Sequence, residues 1–320
     1  VYDGGGYKIS NMVIRAVAFD EDGVVDPSSD DSYARSGLFA IVGVAGVVKN
    51  LTIDSSCKFE YYDTGGAIAG RMYGRIENCK NYAVVKCYYS LAGGIVGELC
   101  GNGVVTGCLN AGNIYAGIYA AGGIVGGIAS EGASIENCTN TAEVGAVYLN
   151  PYEDAGEQYN AGGIVGEATY GGHLVNVCNS GHVISYENVG GIVGVARDVE
   201  IENAVNYGYI TEPDDLTTGG AIVGYNKSGV TIKGTYFDKK LNKLGAVGNA
   251  GKKGATPLTT SELITPNLNL PEDFWYQTAG KYPVLKWAKD DETQQLASLA
   301  TVLFDEADNI TYVHKPAELG

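Results

Sequence analysis

Gly93-Gly94-Ile95-Val96-Gly97 is the phrase on which the fold turns, because the chain repeats it. Close copies stand at Gly122-Gly123-Ile124-Val125-Gly126, Gly162-Gly163-Ile164-Val165-Gly166 and Gly190-Gly191-Ile192-Val193-Gly194. Looser ones are Gly65-Gly66-Ala67-Ile68, Gly219-Gly220-Ala221-Ile222-Val223-Gly224 and Ser36-Gly37-Leu38-Phe39. The second glycines fall at 37, 66, 94, 123, 163, 191 and 220, so the steps are 29, 28, 29, 40, 28 and 29 residues. Self-similarity at such a period marks a stacked repeat architecture, in which each unit buries its apolar face against the next.

Three short apolar segments recur in each repeat. The first is the glycine-bracketed Ile-Val pair. The second reads Arg75-Ile76-Glu77-Asn78-Cys79 and Ser134-Ile135-Glu136-Asn137-Cys138, with partial matches at Val105-Thr106-Gly107-Cys108 and Ile201-Glu202-Asn203-Ala204. The third is a hydrophobe: Val85, Ile114, Val144, Val183 and Ile210. Each segment is too short for a helix and is bounded by Gly or Asn, so each reads as a strand between turns. The expected fold is all-β: a right-handed parallel β-helix with three strands per 28–29-residue coil and about seven coils. Handedness rests on the general bias of parallel crossovers.

In such a stack like residues lie about 4.8 Å apart. Cys79, Cys108 and Cys138 then form a ladder of buried thiols, since free Cys behaves as a small hydrophobe. Asn81, Asn110, Asn140, Asn179 and Asn206 form an amide ladder, and Asn also suits a left-handed turn. The Gly-Gly pair reads as a corner needing positive φ, and the later Gly as a place where sheets approach closely.

Outside the regular repeats, residues 1–35 read as an opening coil. The 40-residue step holds an insertion between Ala146 and Asn160, and a smaller one begins at Thr211; solenoids extrude such additions as surface loops. The expected division is a β-helix over 1–245, a C-terminal cap over 246–288 that covers exposed strand edges, and 289–320 as a short helical tail or the start of a further domain. Leu296, Leu299, Ala300 and Leu303 supply helical spacing there.

The 320 residues carry 47 glycines, 8 prolines and a formal charge of −16. That charge argues against nucleic acid and anionic membrane surfaces as partners, because both attract cationic faces. No stretch approaches a transmembrane span. Val1-Tyr2-Asp3-Gly4 reads as folded sequence, so targeting segments are expected elsewhere in the parent polypeptide. Seven cysteines without a CxxC pair suggest neither a metal site nor a disulfide framework. A monomer is expected.

The Gly-Gly-Ile-Val-Gly copies with Ile-Glu-Asn-Cys-x-Asn at 76–81 and 135–140 resemble the GLUG-motif repeat proteins of bacterial cell-surface and secreted polypeptides, also found beside some immunoglobulin-cleaving metalloproteases. The likeness extends to Asp3-Gly4-Gly5-Gly6-Tyr7-Lys8-Ile9-Ser10-Asn11 at the start. At the end it includes Tyr236-Phe237-Asp238 followed by Gly280-Lys281-Tyr282-Pro283-Val284-Leu285-Lys286-Trp287. The resemblance implies an extracellular or cell-surface β-helix with an adhesive or spacing role and supplies no catalytic residues.

The residues themselves offer little chemistry. Of His173, His182 and His314 none lies in an HExxH setting. His173 and His182 sit in glycine turns and read as exposed turn residues. A β-helix lyase or hydrolase needs carboxylates converging on one face. The outward place after the Ile-Val phrase is held by Arg71, Glu98, Gly127, Glu167, Val195 and Tyr225, so Gly127 separates the two acids. Asp20, Asp22 and Asp26 around Gly23 read first as a solvated acidic loop, with Ca²⁺ bound by their oxygens as the lesser reading; no other cofactor is expected. Tyr61, Tyr62, Tyr88, Tyr89, Tyr115, Tyr119, Tyr148, Tyr152, Tyr159 and Tyr170 gather near loops and offer flat contact area. Within the insertion, Tyr148, Tyr152, Glu153 and Asp154 are the candidate contacts for a host protein or glycan. The leading expectation is a non-enzymatic bacterial surface or secreted module, an adhesin segment or rigid stalk. A carbohydrate-active enzyme is the alternative.

Overall fold

The computed structural model describes residues 1–17, 35–147, 149, 159–211, 218–250 and 254–299, together with the backbone of a hairpin, Val302–Phe304 and Ile310–Tyr312. The chain is a parallel β-solenoid. Each coil contributes five short strands, not three, and equivalent strands pair in parallel across successive coils. One coil shows the pattern: Leu91–Gly93 on the first face, Val96–Leu99 on the second, Val104–Thr106 on the third, Leu109–Asn110 on the fourth and Ile114–Ala116 on the fifth. The first, second and fifth faces hold seven strands each, the third eight and the fourth nine.

Register follows the repeat residue by residue. Ile76 pairs with Val48 and Val105, and Val105 with Ile135. Val85, Ile114, Val144, Val183 and Ile210 form one continuous row. Strands such as Arg75–Glu77 bury only their middle residue, which points to the axis while its neighbours face out. One apolar core therefore runs from Val42 to Ala255.

The amide ladder is complete. Nδ2 of Asn81 donates to Oδ1 of Asn110 at 2.9 Å, Asn110 to Asn140 at 2.8 Å, Asn140 to Asn179 at 2.9 Å and Asn179 to Asn206 at 2.9 Å. All five are fully buried. Asn81, Asn110, Asn140 and Asn179 each also donate to a nearby carbonyl, Ala83, Gly112, Ala142 or Gly181, using both amide protons, and Asn206 ends the ladder by donating to the Ala221 carbonyl. These asparagines lie in strands of the fourth face. The left-handed corner belongs instead to Asn50, Asn78, Asn137, Asn176 and Asn203, with φ of 51–54°, and to Gly107 and Gly234 in the same place.

The Gly-Gly pairs also differ from the sequence expectation. None of Gly93, Gly94, Gly122, Gly123, Gly162, Gly163, Gly190 or Gly191 is in the positive-φ region. Proximity is what requires glycine here. A Cβ on Gly122 would stand 1.9 Å from the Val125 carbonyl oxygen, and one on Gly123 would stand 2.1 Å from the Gly163 oxygen and 2.5 Å from Asn140 Cγ. The second glycine thus leaves the space that the next asparagine fills, and the two signature motifs are halves of one contact.

Cys79, Cys108 and Cys138 stack in the core without disulfides, the Cys108 N–H lying 3.4 Å from Cys138 Sγ. Burial drives the Cys108 thiol well above its ordinary pKa, and the Cys178 thiol, on the outer side of the fourth face, is pushed up to about 12 for the same reason.

Two distinct pieces follow the last regular coil. Residues 239–250 and 254–258 belong to an irregular final turn whose strand Ala255–Leu258 extends the fourth face. Residues 259–299 then fold back along the outside of that face as a strap, with helices α1 (Thr260–Leu263) and α2 (Glu292–Ala297). Trp275 Nε1 donates to Asn176 Oδ1 and Trp287 Nε1 to the Asn137 carbonyl. Tyr282 stacks on Tyr207 at 4.3 Å between centroids and donates its hydroxyl to the buried Asp238 carboxylate at 2.6 Å. Gln294 receives Thr139 Oγ1 and donates to Tyr207. Asp291 receives Lys80 and Tyr82. The stretch read as an end cover therefore lies mainly along the flank, over coils from Lys80 to Asp238.

Candidate functional site

The site residues expected from sequence, Asp20, Asp22 and Asp26 and Tyr148, Tyr152, Glu153 and Asp154, lie outside the described residues. The positions where the two insertions leave the solenoid are described, and they converge. The long one follows Val144–Ala146 and the short one follows Ile210–Thr211, both strands of the fifth face, with Val183–Ser185 between them. Two rungs at about 4.8 Å each separate the stems.

A polar cluster occupies the outer surface of those three strands. Parallel pairing aligns the residue preceding each core hydrophobe, so Glu143, His182 and Tyr209 form a row beside Val144, Val183 and Ile210. His182 Nδ1 is 3.1 Å from Glu143 Oε2, and Nε2 is 2.8 Å from Thr211 Oγ1. A neutral imidazole donating from Nδ1 to the carboxylate would accept the Thr211 hydroxyl at Nε2. Tyr209 leans on the imidazole with centroids 5.7 Å apart. Tyr115 reaches across from the preceding coil and donates to Glu143 Oε1 at 2.8 Å, its ring lying where a side chain on Gly145 would be.

The electrostatics agree with this arrangement. The hydrogen bond from His182 holds the Glu143 carboxyl below its ordinary pKa, assisted by Tyr115. Burial, with the bond to Glu143, pushes the Tyr115 phenol up to about 12. His182 is only 24% exposed and Glu143 32%, so His182 is a partnered group, not the exposed turn residue its glycine neighbour suggested. Aligning the repeats on their third hydrophobe would have revealed the row; reading each histidine in its local turn hid it.

The other expectations resolve as follows. His173 lies on the third face, half exposed, 3.1 Å from Glu200. Arg71, Glu98, Gly127, Glu167, Val195 and Tyr225 do form one outward row. Glu98 is bound by Arg71 and by Arg35 at 3.4 Å, and Glu167 by Lys227 at 3.4 Å. Both carboxylates therefore carry cationic partners, with Gly127 between them. Tyr61 and Tyr159 are buried to 0% and 1% exposure, so they are core and not contact surface, whereas Tyr89, Tyr119 and Tyr170 are exposed. Among the described residues no three His, Cys, Asp or Glu side chains gather as a metal site, and no helix is long and apolar enough to cross a membrane.

No family model and no curated protein matches the chain. Among solved structures, it is similar to a crystal structure from Bacteroides ovatus whose assignment as an immunoglobulin A1 protease is provisional. The match has a TM-score of 0.54 at 20% sequence identity and covers 90% of this chain and 77% of that one. Identity that low speaks for a shared solenoid fold alone.

Proposed function

We propose that the chain is a non-enzymatic extracellular module of the GLUG type, a rigid solenoid that presents its fifth face and inserted loops to a host protein or glycan. The observation that carries this reading is the common origin of both insertions around the Tyr115–Glu143–His182–Tyr209 cluster. Rings with polar edges, a carboxylate and an imidazole suit hydroxyl-rich or polar protein surfaces. The partnered state of Glu98 and Glu167 counts against a glycosidase on the second face, where one carboxyl must be free to donate a proton. The test is a glycan and host-protein array probed with the intact chain and with a variant whose residues 149–157 are replaced by a two-residue Gly link. Loss of binding in the variant supports presentation by this face. Undiminished binding places the contact elsewhere and ends the proposal.

A second reading has one observation in its favour. The order carboxylate, imidazole, hydroxyl in Glu143–His182–Thr211 is that of hydrolytic triads. It predicts acylation of Thr211 by an activated ester, seen by intact mass and lost in Thr211→Ala. An unmodified Thr211 removes this alternative.

A further inference from the structure

The solenoid core ends in an opening. Phe237, Ala246 and Ala255 close the apolar column, and with the half-buried Leu244 they line a cavity of about 310 Å³. That is at the lower end of the roughly 300–1,000 Å³ range of small-molecule sites. Lys239 and Lys243, both exposed, stand at its rim. Lys243 has no ion pair among the described residues, and Lys239 meets Glu262 only at 3.9 Å. Two cations over an apolar well stand out in a chain of charge −16.

The occupant is not another strand. The Lys239 N–H donates to the Leu258 carbonyl, so Leu258 and Thr256 turn their backbone groups inward. Pro257 then faces the open edge, where it has no N–H to offer. Side-chain amides close the neighbouring edges. Asn242 receives the Ile210 N–H and donates to the Gly208 carbonyl, both at 2.9 Å, and Asn249 does the same for the N–H and carbonyl of Asn226 at 2.9 Å. With strand pairing blocked, what remains is an apolar hollow and a positive rim. Their complement is a molecule with an apolar body and one negative head, which would remove the floor from water and meet the ammonium groups.

We propose that this terminal cavity binds a small amphiphilic carboxylate, an alkyl or aryl monoacid with its body on Phe237 and Leu244 and its carboxylate between Lys239 and Lys243. The site is independent of the loop-bearing face. Isothermal titration of the intact chain with decanoate, below its aggregation concentration, tests the idea. One saturable site is expected, weakened on the order of tenfold by Lys243→Glu and by added salt, with 1-decanol binding more weakly than decanoate. Lys233→Glu, on the third face, is expected to leave the affinity unchanged. Lys243→Glu alters an exposed side chain, and a thermal melt confirms that it folds. The proposal is overturned by the absence of saturable heat, by equal binding in the Lys239→Glu/Lys243→Glu double variant, or by a stoichiometry well above one.

Discussion

Asn140 illustrates how much one side chain supports. Its Oδ1 receives Asn110, and its Nδ2 serves both Asn179 and the Ala142 carbonyl. Asn140→Ala would strand a donor on Asn110 and an acceptor on Asn179 in a dry core, at about 1–3 kcal/mol for each unsatisfied group. Urea unfolding should register the loss, and Asn140→Asp should be worse, since it buries a charge. Gly123→Ala is expected to be severe because its Cβ meets backbone oxygen. Gly127→Ala should be milder, because its Cβ meets the movable Leu91 Cδ1 at 2.8 Å. The thiols give a second expectation: all seven cysteines are buried, so an aromatic disulfide reagent should react only as the chain unfolds. Fast reaction under native conditions would contradict the stacked core. The asparagine and cysteine rows were legible from spacing alone. The close approach at the later glycine of each phrase was legible too, but the role of the Gly-Gly pair was not, because a through-space contact with the neighbouring coil leaves no local sequence mark.

Among the elements, the strap is the most informative. Tyr282 and Asp238 come from the two stretches that mark the chain's ending, and they meet as hydroxyl and carboxylate. Tyr282→Phe deprives a fully buried carboxylate of one donor and should cost about 1–3 kcal/mol by urea melt. Asp291 provides a pH expectation. Burial raises its pKa, but hydrogen bonds from Lys80, Thr293 and Tyr82 outweigh burial and set it below the ordinary 3.8. A depressed folded pKa means the stabilisation is present above the unfolded value and vanishes as pH falls through the folded one. The strap should therefore loosen below about pH 4, reported by fluorescence of Trp275 and Trp287, and Asp291→Asn should remove that acid limb. Strand assignment from sequence found three of five strands per coil. Leu109–Asn110 and Ala120–Gly122 were missed because two residues, or Ala and Gly, carry little β-preference of their own. The strap's docking was illegible because it joins positions as far as 211 residues apart.

For the whole molecule, stacking makes stability a sum over neighbouring coils, so damage at one end should spread inward by steps. Asn242→Ala with Asn249→Ala is expected to speed hydrogen exchange in the strands at Ile210 and Asn226 while those at Ile114 and Val125 stay protected. Pro257→Val should restore a donor to the outer edge and promote concentration-dependent association, read by size-exclusion chromatography. The period, the core and the parallel stack were thus open to a reader of the sequence, while the shape of each end and the meeting of Glu143, His182 and Thr211 were not. The amide column has one last implication. Asn110, Asn140 and Asn179 each turn their oxygen to the asparagine of the coil before and an amide hydrogen to that of the coil after. The column is therefore a directional thread whose links are interchangeable. Duplicating or deleting one whole unit would leave every junction satisfied, so the rod can change length by recombination between its own repeats without redesigning its interior.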